Sequence, residues 1–119
     1  MKHFKFTYQY KGRTIIEDVF ALSKVQALKE FQKDFPIFAI CLGAQLLAAA
    51  TDGKVERMGT NEIGVYEINS VAEDEIVNFG SKALTTQWHE DFVTVLPTGA
   101  TRLAESELCP NQIYRMGSH

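Results

Sequence analysis

Cys41 stands between an all-apolar run, Ile37–Ile40, and a run of small and apolar residues, Ala44–Ala50, with Leu42-Gly43 following the cysteine directly. The pattern predicts a short strand, a tight turn and a helix, with the thiol carried on the turn. A nucleophile on such a turn projects out of the sheet toward the positive end of the helix macrodipole, a place that favours an anion. Thiolate is the reactive form of cysteine. The backbone N–H of Leu42 is placed to donate to a developing oxyanion. Gly43 allows the close backbone approach that the turn needs. The chemistry outlined is nucleophilic catalysis by a thiolate. The same residues also fit a buried structural cysteine packed between strand and helix, since free cysteine is among the most buried residue types.

His89 is the only histidine well inside the chain. It could form a dyad with Cys41 or serve a structural role. Cys109, beside Pro110, reads as a bystander in a connecting loop. Trp88 reads as a core aromatic, and Glu73-Asp74-Glu75 as a solvated face. Two cysteines so far apart make neither a disulfide framework nor a metal-site spacing, so no metal and no cofactor is expected.

The elements that must position these groups begin with a ββα unit. Phe4, Phe6, Tyr8 and Tyr10 alternate with His3, Lys5, Thr7 and Gln9, the period of a strand with one buried face. Lys11-Gly12 makes a tight turn into a second β-rich run, Arg13–Ala21, and the two pair as a hairpin. Ser23 and Gln26 form a capping box that starts a helix. Val25, Leu28, Phe31 and Phe35 recur at helical spacing and would cover the hairpin, and Pro36 ends the helix. Ile37–Ile40 is expected as a parallel strand buried on both faces. Asp52-Gly53 closes the helix after Cys41. The remainder reads as β: Lys54–Arg57, Gly64–Ile68, Thr85–Trp88, Phe92–Leu96, Thr101–Ala104 and Gln112–Met116, with a turn at Pro97-Thr98-Gly99. Ser70–Lys82 is either a short helix around Glu73–Phe79 or a loop.

The expected fold class is therefore α/β. A hairpin and helix precede a nucleophile-elbow strand and helix, then a mostly β C-terminal half, in a two-layer or three-layer-like sheet with few helices. At 119 residues this is one domain or two small modules, 1–35 and 36–119, sharing one core. The first helix would act as a crossover that lays Ile37–Ile40 beside the hairpin. A net charge of −3 without any Lys/Arg cluster excludes the basic face that nucleic acid or an anionic membrane would need. No apolar run reaches the roughly 20 residues of a membrane span, and the N-terminus lacks the apolar block of a secretion signal. A reduced, cytoplasmic protein is expected, with a homodimer through an open sheet edge as a possible assembly.

The segment Pro36-Ile37-Phe38-Ala39-Ile40-Cys41-Leu42-Gly43-Ala44-Gln45-Leu46-Leu47-Ala48 resembles the nucleophile elbow of class I glutamine amidotransferases. Asp52-Gly53-Lys54-Val55 and Glu62-Ile63-Gly64 resemble the strands that follow it. Gln87-Trp88-His89-Glu90-Asp91 is similar to the family's substrate-side loop, and Leu96–Gln112, with Ser106-Glu107-Leu108-Cys109-Pro110-Asn111-Gln112, to its late strands. The resemblance implies that Cys41 attacks the side-chain amide of glutamine, forming a thioester and releasing ammonia. Leu42 would supply an oxyanion N–H, and Gly43, Gln45, Trp88 and His89 would contact the glutamine.

Three departures qualify that expectation. Ala39 stands where the family usually has glycine. The family's histidine base, with a glutamate two residues on, belongs to a strand expected after the Asn111-Gln112 segment, and these residues do not contain it. The family's Gly-rich oxyanion loop, expected before the elbow, is replaced by a ββα segment that resembles nothing in the family. His119 has no carboxylate after it and is expected to be frayed, and residues 117–119 could be native or tag-derived. The expected function is that of an amidotransferase-like domain with a retained elbow, taking a glutamine-like small molecule without turning it over. Two alternatives stand beside it: a binding or oligomerising domain from a recombined or engineered reading frame, and a thiol hydrolase that pairs Cys41 with His89 or with a partner chain's base. The acceptor substrate of a parent enzyme and the role of residues 1–35 are not legible.

Overall fold

The structure, a computed structural model, describes residues 1–31, 36–117 and 119. Strands β1 (Lys2–Tyr10) and β2 (Arg13–Ala21) form an antiparallel hairpin in which Tyr10 faces Arg13 and Lys2 faces Ala21. Lys11 and Gly12 take φ values of 49° and 74°, the paired positive φ that a two-residue turn needs to match strand twist. Phe4, Phe6 and Tyr8 lie half-buried while their neighbours are exposed, as the alternation requires, but Tyr10, expected on the same face, is exposed beside the turn.

Helix α1 (Lys24–Phe31) opens on the expected cap. The Gln26 N–H donates to Ser23 Oγ at 3.2 Å, and Gln26 Oε1 accepts the Leu22 N–H at 2.7 Å. The return bond reaches one residue further upstream than in the usual capping box. Phe31 stacks on Phe6 at 4.1 Å between ring centroids, so the helix does cover the hairpin. Its other face packs on α2 (Leu42–Ala50). The expected place of Phe35 and the helix end before Pro36 lie outside the described residues.

The second sheet has the order β4-β3-β5-β6. Strand β3 (Lys54–Ser70) and strand β4 (Lys82–Val95) are long antiparallel partners, with register shifts at Lys54/Val55 and between Arg57 and Glu62. Each merges two of the short strands expected from the sequence. The shift after Arg57 explains the apparent break, because the Met58–Asn61 stretch bends without leaving the strand. Strand β5 (Thr101–Glu105) pairs with β3 and with β6 (Ile113–Arg115). Leu47, Ala48 and Ala50 of α2 are buried, as are Ile68, Val93, Leu103 and Ala104 of this sheet. The result is a mixed α/β architecture with two sheets and few helices. No described helix is long and apolar enough to cross a membrane.

The stretch 36–40 corrects one expectation. Ile37–Ile40 is not a strand, and no described strand pairs with it. A strand is held by its ladder, and the hairpin keeps to its own two-stranded sheet instead of accepting this segment. Phe38 and Ile40 are consequently 84% and 73% exposed where burial on both faces was expected. The crossover arrangement expected of α1 is absent for the same reason.

Within Ser70–Lys82, residues 71–81 form a loop between β3 and β4, not a helix. Asp74 organises it: Oδ1 accepts the Ile76 and Val77 N–H groups at 2.8 and 2.9 Å and the Arg115 guanidinium at 2.8 Å. Its side chain is nearly buried, so the solvated face expected of Glu73-Asp74-Glu75 does not extend to it. The Val77 N–H first, then that of Ile76 and the Arg115 charge, hold this carboxyl below the usual range against the opposing effect of burial.

Candidate active site

Cys41 caps the N-terminus of α2 with φ 55° and ψ −119° and is exposed. This decides against the buried structural cysteine. A side chain at that φ/ψ is strained by about 1–3 kcal/mol, and such strain concentrates where chemistry needs it. The turn is closed by the Gly43 N–H donating to the Ile40 carbonyl at 2.9 Å and the Gln45 N–H to the Cys41 carbonyl at 3.2 Å. The first turn of α2 holds no acidic residue to oppose its positive end. Ala39, the departure from the expected glycine, is accommodated: its methyl lies 3.5 Å from where a Cβ on Gly43 would stand, so the glycine leaves room for it.

Two neighbours brace the helix. Tyr114 on β6 donates to the Ala44 carbonyl at 2.6 Å, and burial pushes its hydroxyl up to about 12. At the far end the Gly53 N–H donates to the Ala48 carbonyl at 2.8 Å, and Asp52 at φ 70° turns the chain back. The Asp52 carboxylate accepts both the N–H and the hydroxyl of Thr98, at 3.0 and 2.8 Å, which ties this turn to the Pro97–Gly99 turn. Those two bonds hold its carboxyl below the usual range.

The turn at Cys41 opens on a groove of about 920 Å³ bordered by Cys41, Gln45, Trp88, His89, Tyr114 and His119 among others. The side chain of Gln45 donates to the Asp91 carbonyl at 2.8 Å. His89 shares that carbonyl, with Nδ1 2.9 Å away, and its Nε2 lies 2.8 Å from Glu62 Oε2. Both ring nitrogens are therefore engaged away from Cys41, and the Cys41–His89 dyad is not formed. Trp88 corrects a second expectation. Strand alternation turns His89 inward, so Trp88 points outward and is 76% exposed, not core. Leu42 is exposed at the start of α2, with Gly43 beside it. His119 is only partly exposed, and its Nδ1 accepts the Ile37 N–H at 3.0 Å while its backbone pairs with Met116, so it is anchored where fraying was expected.

The residue that sequence reading missed is Glu62. It is fully buried and accepts from Ser106 Oγ, from Gln112 Nε2 at 2.5 Å and from His89. Its signal in the sequence was its place in Glu62-Ile63-Gly64, a segment that resembles a family strand but says nothing of the carboxylate's partners. The partners that explain it lie 27, 44 and 50 positions away.

Cys109 lies in the same neighbourhood but is closed off, at 2% exposure. Burial, opposed by a hydrogen bond from the Asn111 backbone and reinforced by the Glu62 charge, pushes its thiol up to about 11. The two cysteines should thus separate chemically. Iodoacetamide at about pH 8 should give the folded protein a single adduct, on Cys41, with Cys109 reacting only after denaturation. Peptide mapping that found both modified at similar rates in the folded state would contradict this geometry.

The family model for glutamine amidotransferase class-I matches residues 16–115. The chain belongs to that family. The matched stretch begins within β2, upstream of the Pro36 junction at which the sequence resemblance starts. A glutamine-hydrolysing GMP synthase of Bacteroides thetaiotaomicron is 34% identical over 91 residues, 75% of this chain and 18% of the relative. One subunit of the glutamine-hydrolysing GMP synthase of Methanosarcina barkeri is 36% identical over 83 residues, 69% of this chain and 44% of the relative. The crystal structure of a glutamine amidotransferase from Thermotoga maritima superposes with a TM-score of 0.73 at 34% identity, covering 80% of this chain and 42% of that one. The class I domain seen here thus spans less than half the length of each.

Proposed function

We propose that these 119 residues form the elbow-bearing, glutamine-holding portion of a class I glutamine amidotransferase, with Cys41 as nucleophile and the Leu42 N–H as an oxyanion donor, and that as an isolated chain they do not turn glutamine over. The observation that carries the first half is Cys41 itself. An exposed thiol held at positive φ on a helix N-terminus, at the edge of a groove, is an arrangement that serves attack on a carbonyl carbon. The likeness to glutamine-hydrolysing relatives supports glutamine as the molecule attacked. Gln45 and the His89–Asp91 stretch, already linked by the Asp91 carbonyl, are the polar groups that would orient it.

The second half rests on the histidines. Thioester formation needs a base for the thiol proton and an acid for the departing ammonia. His89 is engaged at both nitrogens, and His119 directs Nδ1 to the Ile37 N–H. Neither His3 nor His89 is followed two positions later by glutamate, the orienting pair expected of the family.

The test has two parts. A chloroketone analogue of glutamine should label Cys41 once, glutamine should slow the labelling, and Cys41→Ser should abolish it. Ammonia should not accumulate from glutamine above the Cys41→Ser background. Labelling that glutamine leaves unaffected would remove the glutamine site, and ammonia release that depends on Cys41 would overturn the absence of turnover.

A further inference from the structure

Among the described residues Glu62 is the largest fully buried side chain, and the elbow chemistry does not use it. A buried carboxylate is tolerable only when paired and fully hydrogen-bonded. Its Oε1 accepts from Ser106 Oγ, while Oε2 accepts from Gln112 Nε2 at 2.5 Å and faces His89 Nε2 at 2.8 Å. Gln112 Nε2 also reaches Ser106 Oγ at 3.0 Å, and the Cys109 N–H donates to the same hydroxyl at 3.1 Å. Glu62 and His89 are direct cross-strand partners of β3 and β4, just past the register shift after Arg57. The shift brings the carboxylate into the interior opposite the ring.

From His89 the connection continues toward the elbow. His89 Nδ1 and Gln45 Nε2 converge on one acceptor, the Asp91 carbonyl, at 2.9 and 2.8 Å. Gln45 lies on the first turn of α2, and its own N–H bonds the Cys41 carbonyl at 3.2 Å. A hydrogen-bonded path therefore runs from Glu62 through the imidazole and a backbone carbonyl to the side chain beside the nucleophile. An imidazole free to rotate would release its hold on that carbonyl, and Gln45 would lose its fixed orientation.

We infer that Glu62 is a positioning residue for the glutamine site: through His89 and the Asp91 carbonyl it sets the Gln45 side chain beside Cys41 without touching the ligand. This rests on the reading of the site as a glutamine site. It extends that reading by placing part of the site's selectivity in the interior of the β3–β4 sheet.

Two alkylating probes distinguish positioning from general support. Iodoacetamide reads the bare thiol, whereas the chloroketone analogue of glutamine also requires the groups that orient glutamine. In Glu62→Gln the chloroketone rate constant on Cys41 should fall about ten- to a hundredfold while the iodoacetamide rate changes less than about twofold. Glu62→Asp, which keeps the charge, should retain most of the chloroketone rate. Equal loss of both rates would reduce Glu62 to structural support of the elbow, and no loss of either would sever the path, so both outcomes overturn the inference. Where Glu62→Gln does not fold, the path is broken at its next link and His89→Asn is measured with and without Gln45→Ala: its chloroketone loss should vanish once Gln45 is gone, and either no loss or an unchanged loss overturns the inference. Wild-type labelling that glutamine does not slow would remove the glutamine site and this inference together. Wild-type protection with an unaltered Glu62→Gln would remove this inference alone.

Discussion

Glu62→Leu should lower the unfolding free energy by about 3–5 kcal/mol, the loss expected when a buried, multiply hydrogen-bonded carboxylate is removed from its partners. The leucine is similar in size, but it offers no acceptor to His89, Ser106 or Gln112, all of which point at the carboxylate. Each stranded donor keeps its desolvation cost, about 1–3 kcal/mol apiece before the neighbours relax. Folded domains hold only about 5–15 kcal/mol in total, so this single change should remove a large share of the stability. Urea unfolding followed by far-UV circular dichroism gives the number. A loss below about 1 kcal/mol would mean that the cluster is not closed to water in solution.

Gly53→Ala is the second large effect, expected at about 2–3 kcal/mol through overpacking. A methyl at this position would stand 2.8 Å from the Ala48 carbonyl oxygen and 2.9 Å from that of Val95. Both are backbone atoms, one at the end of α2 and the other at the end of β4, so neither can yield by a rotamer change. Gly59, six positions on, supplies the control, since a methyl there meets nothing within 4 Å. Gly59→Ala should be neutral or stabilising by up to about 1 kcal/mol, through the less flexible unfolded chain. Equal effects from the two substitutions would contradict the close packing of helix end against strand end.

What could be read from the sequence was whatever depends on near neighbours. The hairpin was legible because Phe4, Phe6 and Tyr8 alternate and Lys11-Gly12 makes the turn, and all of this lies within 20 residues. The start of α1 was legible from Ser23 and Gln26, and the start of α2 just after Cys41 from the small residues that follow it. Apolar character alone did not make Ile37–Ile40 a strand, because pairing depends on a second segment lying alongside. The outward turn of Trp88 follows from His89 facing in, and His89 faces in because Glu62 is there to meet it. That partnership crosses 27 positions and has no periodic trace in either strand. Asp74 was misread in the same way: as one of three consecutive acids it looks solvated, and only Arg115, 41 positions later, shows otherwise.

The conformation of Cys41 has a consequence for descent. With φ 55° and ψ −119° the backbone at this position would rest more easily with glycine, which accepts positive φ without steric cost. A lineage released from sulfur chemistry could recover that strain in a single replacement, Cys41→Gly, while keeping the turn intact. Loss of the chemistry and gain of stability would then coincide at one codon. A thiol standing there is held against the backbone's own preference.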